Sequence, residues 1–227
     1  MKVTTDACLF GAWVANEILK TQNEPDRILD IGAGTGLLSL MLAQATEWSQ
    51  IDAVEINAAA LKEANFNFMN SSWNERLKVF HTAIQNFNPT LSYDLIICNP
   101  PFFAGSQKGK KTGKNQAVHA SSLSMSDLLA AAKKRLSASG KLYLLYPKRE
   151  MEDFISLSTD ELFLEKLVIV RNQKKDPVFR QLAIFSQREA SIEKDELTIR
   201  TIEGKYTDGF WELLKDYYLE YNNPSKK

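Results

Sequence analysis

The residues of this chain best suited to chemistry are Asn99-Pro100-Pro101-Phe102, which directly follow the apolar run Tyr93-Asp94-Leu95-Ile96-Ile97-Cys98. Such a run reads as a buried strand, and two prolines end it abruptly, because neither ring nitrogen can donate to a ladder. The last backbone carbonyls are left as acceptors, and the Asn99 side-chain oxygen adds another. Phe102 follows with a flat apolar ring. Two acceptors and a ring suit a planar group bearing an amine, such as a nucleobase or a carboxamide. The expectation is a reaction site at the carboxyl end of this strand.

A second constellation lies upstream. Arg27-Ile28-Leu29-Asp30-Ile31 runs into Gly32-Ala33-Gly34-Thr35-Gly36-Leu37 and then into a helical pattern. Glycines at a strand-to-helix turn permit positive φ and let a ligand approach the backbone. The dinucleotide fingerprint G-x-G-x-x-G fails here in both registers, since it would need glycine at Leu37 or at Ser39. What stands instead is D-x-G-x-G-x-G, followed by Glu55 at the end of the next strand. A carboxylate there can accept both hydroxyls of a ribose. Asp30 is free to meet an amine-bearing part of the ligand, which a pyrophosphate cofactor would not want. The ligand that fits is S-adenosylmethionine (SAM), with Ile56 and Asn57 flanking its adenosine; the product would be S-adenosylhomocysteine.

These residues need a scaffold that brings strand ends together. Short aliphatic runs at Arg27–Ile31, Gln50–Ile56, Leu77–His81, Tyr93–Cys98 and Lys141–Tyr146 alternate with helical patterns at Leu37–Ala45, Ala58–Asn70 and Ser126–Leu136. That alternation predicts βαβ units, a parallel sheet and helices on both faces. A further helix, Ala7–Lys20 with Asp6 as its cap, precedes the sheet. Beyond Pro147, Phe163–Arg171 and Arg180–Arg188 read as a hairpin around Pro177, hence an antiparallel strand on a parallel sheet. Leu197–Ile202 reads as a short strand and Phe210–Tyr221 as a final helix. Trp13, Phe210 and Trp211 read as core.

At 227 residues the chain suits one domain, residues 1–227: an N-terminal helix in 1–22, a cofactor-binding core in 23–147, and a C-terminal hairpin and helix in 148–221. Twenty-eight basic and 28 acidic residues balance, so any basic surface must be local. Cys8 and Cys98 lie in apolar contexts that imply neither a disulfide framework nor a metal site. No stretch has transmembrane length and the start lacks a signal-peptide pattern, so a cytoplasmic protein is expected.

Together the motifs resemble class I SAM-dependent methyltransferases acting on exocyclic or amide nitrogens, in which N-P-P-[FY] follows strand four. Met1-Lys2-Val3-Thr4-Thr5-Asp6 with Leu9-Phe10-Gly11-Ala12-Trp13 is similar to the opening of the bacterial tRNA1(Val) (adenine-37-N6)-methyltransferase family. Asp30–Leu38, Ile51–Glu55, Asp94–Phe102 and Tyr206…Tyr217-Tyr218-Leu219 resemble it too. The resemblance implies a Rossmann-like, mostly parallel seven-stranded sheet with an antiparallel C-terminal hairpin strand. It implies cofactor contacts from Thr5, Asp30, Ile31, Gly32, Gly34, Gly36, Glu55, Ile56, Asn57, Ala83, Ile84 and Asn99, and catalysis by Asn99, Pro100, Pro101 and Phe102. One departure is Ala83, where the family has an aspartate that can read the adenine amine.

The implied substrate is adenine N6 at position 37, beside the anticodon of valine tRNA, with no metal and no obligatory protein partner. Lys108, Lys110, Lys111 and Lys114 in the loop after the tetrapeptide suit phosphate contacts. Lys174 and Lys175, flanked by Arg171 and Arg180 around the hairpin turn, suggest a second patch. The rival substrates are guanine N2 of ribosomal RNA and, further off, the glutamine amide of a protein.

Overall fold

The computed structural model of the chain describes residues 4–21, 23–100 and 123–218. The elements in chain order are α1 (Thr5–Thr21), β1 (Arg27–Ile31), α2 (Leu37–Ala45), β2 (Gln50–Glu55), α3 (Ala58–Met69), β3 (Leu77–His81) and β4 (Tyr93–Cys98). After these come α4 (Met125–Arg135), β5 (Leu136–Tyr146), α5 (Lys148–Leu157), β6 (Phe163–Arg171), β7 (Val178–Ser186), β8 (Glu193–Thr198) and α6 (Asp208–Leu214). Two 3-10 turns, Asn74–Arg76 and Ile84–Asn86, flank β3.

The strands form one sheet in the order β3-β2-β1-β4-β5-β7-β6-β8. β7 runs antiparallel to β5 and β6, and the other pairings are parallel. The expected hairpin strand is therefore present, and β8 extends the expected seven strands to eight.

Period-two alternation drives the layering, because successive side chains leave a strand on opposite faces. Ile28, Leu95, Ile97, Tyr143, Leu145, Leu182 and Ile184 join Phe10, Trp13, Met41 and Phe210 in one apolar layer. Leu29, Ile31, Ile96, Cys98, Leu142, Leu144 and Phe185 join Leu128, Met151 and Phe154 in the other. Each fully buried Leu or Phe contributes roughly 1.5–3 kcal/mol relative to exposure, so helices are required on both faces.

Several boundaries differ from the sequence reading for identifiable reasons. The first helix begins at Thr5, with Thr4 Oγ1 accepting from the Ala7 amide at 3.4 Å. Asp6 lies within that first turn and its carboxylate accepts from Arg180 Nε of β7 at 3.0 Å, a contact 174 residues distant in sequence. β5 starts five residues early, directly after α4, and α5 follows Pro147 where no helix was expected. β7 begins at Val178 because its ladder with β6 extends to Arg171↔Val178. β8 occupies Glu193–Thr198 instead of Leu197–Ile202, in register with β6 from Lys166↔Glu193. There Lys166, only 6 % exposed, bridges Glu193 at 2.9 Å and Glu17 of α1 at 3.2 Å. The final helix is short, ending at Leu214.

One acidic side chain organises the α2–β2 connection. Glu24 accepts from the backbone amides of Glu47, Trp48 and Ser49 and from the Ser49 hydroxyl. Burial pushes its carboxyl up, but these four donors outweigh burial and hold it below the ordinary value. Among the described residues no helix is long and apolar enough to cross a membrane.

Candidate active site

Parallel pairing sets three strand ends side by side. Ile31 lies opposite Val54 of β2 and opposite Cys98 of β4, so the glycine turn, Glu55 and Asn99 leave the sheet together. The Cys98 thiol donates to Ile31 O at 3.3 Å, tying the end of β4 to that of β1. Asn99 is half-buried and Pro100 buried at this edge. Pro101, Phe102, Lys108, Lys110, Lys111 and Lys114 lie outside the described residues.

The turn between β1 and α2 is built by left-handed glycines. Gly32, Gly34 and Gly36 have φ of 75°, 58° and 81°, a region that costs other L-residues energy. At Gly36 a Cβ would also stand 2.4 Å from the Phe68 ring, so no side chain fits. At Gly32 it would meet nothing within 4 Å, so this backbone faces open space where a ligand can approach. The Gly32 and Ala33 amides donate to Val54 O at 2.9 and 3.1 Å. Asn67 Nδ2 of α3 donates to Thr35 O at 2.9 Å.

Glu55 does more than the sequence suggested. Its Oε2 accepts from the Gly34 amide at 2.8 Å and its Oε1 from the Asn57 amide at 2.7 Å. The carboxylate thus shapes the turn, and each oxygen keeps a second lone pair for a hydroxyl. Asn57 is the N-cap of α3, accepting from Ala59 and Ala60 amides at 3.0 Å each. Ile56 is 47 % exposed beside it, and its carbonyl lies 3.0 Å from His81 Nε2.

Asp30 is fully buried beneath the turn. Its Oδ2 accepts from the Ser39 hydroxyl at 2.7 Å, while Oδ1 is buried with no partner among the described residues. Burial pushes its pKa up to about 6, opposed by Ser39 and assisted by the charge of Glu55. A cationic or donor group at Oδ1 would satisfy this acceptor.

The loop after β3 carries Ala83 and Ile84. Ala83 precedes the turn Ile84–Asn86 and offers no polar side chain. The Ile84 side chain is buried in the core. What holds this loop is Arg135 at the end of α4, only 4 % exposed. Its guanidinium donates to the carbonyls of Ile84 at 2.7 Å, Phe87, and Ala131 at 3.2 Å. Removing it would leave buried carbonyls unpaired. Arg135→Met is expected to destabilise the fold by about 3 kcal/mol and to weaken SAM binding roughly tenfold. Denaturant titration and calorimetry check the two effects, and partial recovery in Arg135→Lys would separate lost charge from lost geometry.

Thr5 stands exposed at the start of α1. Lys174 and Lys175 are exposed in the β6–β7 turn, whereas Arg171 and Arg180 are engaged with Glu196 and Asp6, both at 3.0 Å. The expected four-residue patch is thus reduced to its two lysines. Sequence reading missed Ser39, Asn67 and Arg135. Ser39 carried a signal, as a hydroxyl inside the apolar run Leu37-Leu38-Ser39-Leu40. Arg135 carried none, since Lys133-Lys134-Arg135 gives no clue to which cation is buried.

This topology and turn define a class I methyltransferase fold. A solved structure described as a predicted O-methyltransferase from Agrobacterium tumefaciens superimposes with a TM-score of 0.71, covering 96% of this chain and 99% of that one at 16% identity. The N-methyltransferase NodS from Bradyrhizobium japonicum gives 0.57, covering 79% and 97% at 18% identity. The family model for the methyltransferase small domain matches residues 11–175.

Closer relatives narrow the class. The tRNA1(Val) (adenine(37)-N6)-methyltransferase of Flavobacterium psychrophilum is 39% identical, over 97% of this chain and 93% of the relative. That of Vibrio parahaemolyticus is 36% identical over 97% and 90%. The chain belongs to the tRNA1(Val) (adenine(37)-N6)-methyltransferase family.

SAM is the cofactor of this family and fold. The residues present fit it: Oδ1 of Asp30 is an unpartnered buried acceptor, Gly32 is open on its Cβ side, and Glu55 keeps free lone pairs.

Proposed function

We propose that this protein transfers a methyl group from SAM to N6 of adenine 37, beside the anticodon of valine tRNA, as a single cytoplasmic domain spanning residues 1–227. One observation carries the reading. In a chain that matches these relatives over at least nine-tenths of their length, Asn99 and Pro100 leave β4 beside the proposed cofactor turn of β1.

SAM supplies an electrophilic methyl on a sulfonium. Asp30 would hold the amine end of the cofactor, against the open backbone face of Gly32. Glu55 would accept from the ribose hydroxyls, and Ile56 and the backbone at Ala83 and Ile84 would flank the adenine. Asn99 Oδ1 and the Pro100 carbonyl would each accept one hydrogen of the substrate amine. The exocyclic amine is a poor nucleophile because its lone pair is delocalised into the ring. Two acceptors for its hydrogens would localise the lone pair on nitrogen and stabilise the positive charge that develops there. The proton leaves after transfer, so no strong base is needed beforehand.

Phe102 would stack on the extruded base, and such stacking is worth roughly 1–3 kcal/mol. Lys108, Lys110, Lys111 and Lys114 are the proposed phosphate contacts of the adjoining loop.

Nucleoside mass spectrometry of unmodified valine tRNA incubated with the protein and isotope-labelled SAM tests this reading. Label in N6-methyladenosine next to the anticodon is the expected result. Label only in N2-methylguanosine on ribosomal RNA would overturn the substrate and keep the role of Asn99.

A further inference from the structure

Among the described residues, the carboxyl edge of the sheet, where Asn99 lies, carries its basic side chains on one side of the site. On the cofactor side, the residues connecting β1 to α2, β2 to α3, and β3 to β4 (32–36, 56–57 and 82–92) include no lysine or arginine. On the other side the edge runs from β4 across β5, β7, β6 and β8. There Arg149 follows β5, Lys174 and Lys175 form the β6–β7 turn, and Arg200 follows β8.

The tertiary structure brings these cations into one row. The Arg200 amide donates to Asn172 O at 2.7 Å, which sets the segment after β8 against the hairpin turn. Arg149, Lys174 and Lys175 are exposed and have no ion-pair partner among the described residues. Three acids of the hairpin, β8 and α1 are engaged elsewhere. Asp176 accepts from the Gln173 amide, Glu196 pairs with Arg171, and Asp6 pairs with Arg180.

Aromatic rings back two of the guanidinium groups. Arg180 lies 4.4 Å over Phe179, itself 38 % exposed, and Arg200 lies 4.4 Å over Tyr206. Arg180 is already engaged with Asp6, whereas stacking on Tyr206 and the Nη1 bond to Gly204 O at 2.7 Å hold the Arg200 guanidinium in place beside the hairpin turn. From β4 to β8 the row covers four strand spacings, about 19 Å. A small substrate does not reach that far, but a polyanion strand does.

We propose that the RNA substrate, given the reading above, leaves the reaction site across the β5–β8 half of the carboxyl edge, with Arg149, Lys174, Lys175 and Arg200 holding its phosphates. The cofactor occupies the other half, so the two ligands approach Asn99 from opposite sides. This directionality is set by the strand order and by where the cations fall on it.

The test compares wild type with the triple variant Arg149→Ala/Lys174→Ala/Lys175→Ala, and with Lys62→Ala/Lys78→Ala, which removes exposed cations from the α3–β3 side. Fluorescence anisotropy over a salt series gives the affinity for unmodified tRNA, and calorimetry gives that for SAM. The triple variant is expected to bind tRNA at least tenfold more weakly near 0.1 M salt. Its slope of log K against log salt should be shallower by about 2, from roughly 0.7–0.9 per phosphate contact. SAM affinity should stay at the wild-type value, and the α3–β3 variant should bind tRNA as wild type does.

An unchanged slope, an equal loss in the α3–β3 variant, or no tRNA binding by wild type overturns the proposed path. Methyl transfer is read separately. Wild type that binds tRNA along this edge but never methylates adenine leaves the path standing and removes the proposed reaction. Wild type that methylates adenine while the triple variant binds unchanged does the reverse.

Discussion

Asn99→Ala is expected to lower methyl transfer to tRNA by two to three orders of magnitude while SAM binding changes by no more than about twofold. The size follows from removing one preorganised hydrogen-bond partner of a developing charge, which in comparable sites costs about 10²–10³ in turnover. The selectivity follows from position. In the proposed arrangement Asn99, at the end of β4, meets the acceptor amine, whereas the cofactor contacts come from the ends of β1 and β2, which lie beside it. Single-turnover kinetics and calorimetry on the same preparation distinguish the outcomes. Equal losses in transfer and in SAM affinity would reassign Asn99 to cofactor binding. Asn99→Asp adds a second check: it keeps an acceptor oxygen but alters the charge, so some transfer should return.

Asp30→Asn has the second largest expected effect, with opposite signs on two readouts. In the ligand-free protein, burial raises the Asp30 carboxyl from 3.8 to about 6. A raised folded value means that the fold prefers the neutral acid. The penalty begins as pH rises past the unfolded value near 4, and is complete above the folded value near 6. A shift of this size corresponds to something on the order of 3 kcal/mol. At pH 7.5 the asparagine variant should therefore melt several degrees above wild type without ligand, and the advantage should vanish toward pH 4. SAM affinity moves the other way. A cationic ligand at Oδ1 needs the carboxylate, so wild-type affinity should fall as pH drops below 6. The variant should bind weakly at every pH with a flat profile. Melting curves with and without S-adenosylhomocysteine, at pH 5 to 8, measure both effects. A wild-type affinity independent of pH would remove Asp30 from the cofactor contacts.

Much of this architecture was legible without coordinates because it rests on local rules. The runs at Arg27–Ile31, Leu77–His81 and Tyr93–Cys98 became strands with those bounds, since aliphatic runs of five or six residues closed by glycine, threonine or proline have little other use. The helix Leu37–Ala45 followed from the same logic. Where the reading slipped, long-range partners decided. Leu136 to Gly140 carry no strand pattern, yet β5 includes them. The highly polar Glu193-Lys194-Asp195-Glu196 became an edge strand by pairing with β6. The helix Lys148–Leu157 was hidden because Pro147 looked like a break, when it is the helix N-cap.

The same division runs through the site. Residue types alone pointed to a D-x-G-x-G-x-G turn, an acid one strand later and N-P-P-F after a further strand as a site for SAM and an amine, because each motif is a short contiguous stretch whose backbone chemistry is local. Tertiary structure decided everything that depends on neighbours distant in sequence. It buried Asp30 against Ser39 and left one oxygen unpartnered. It turned Glu55 toward the Gly34 amide 21 residues away, and set Arg135 under the Ile84 carbonyl 51 residues away. It also withdrew Arg171 and Arg180 from the surface by pairing them with Glu196 and Asp6. Charge and hydrogen-bond capacity are written in the chain, but burial and partner choice arise only when the strands assemble.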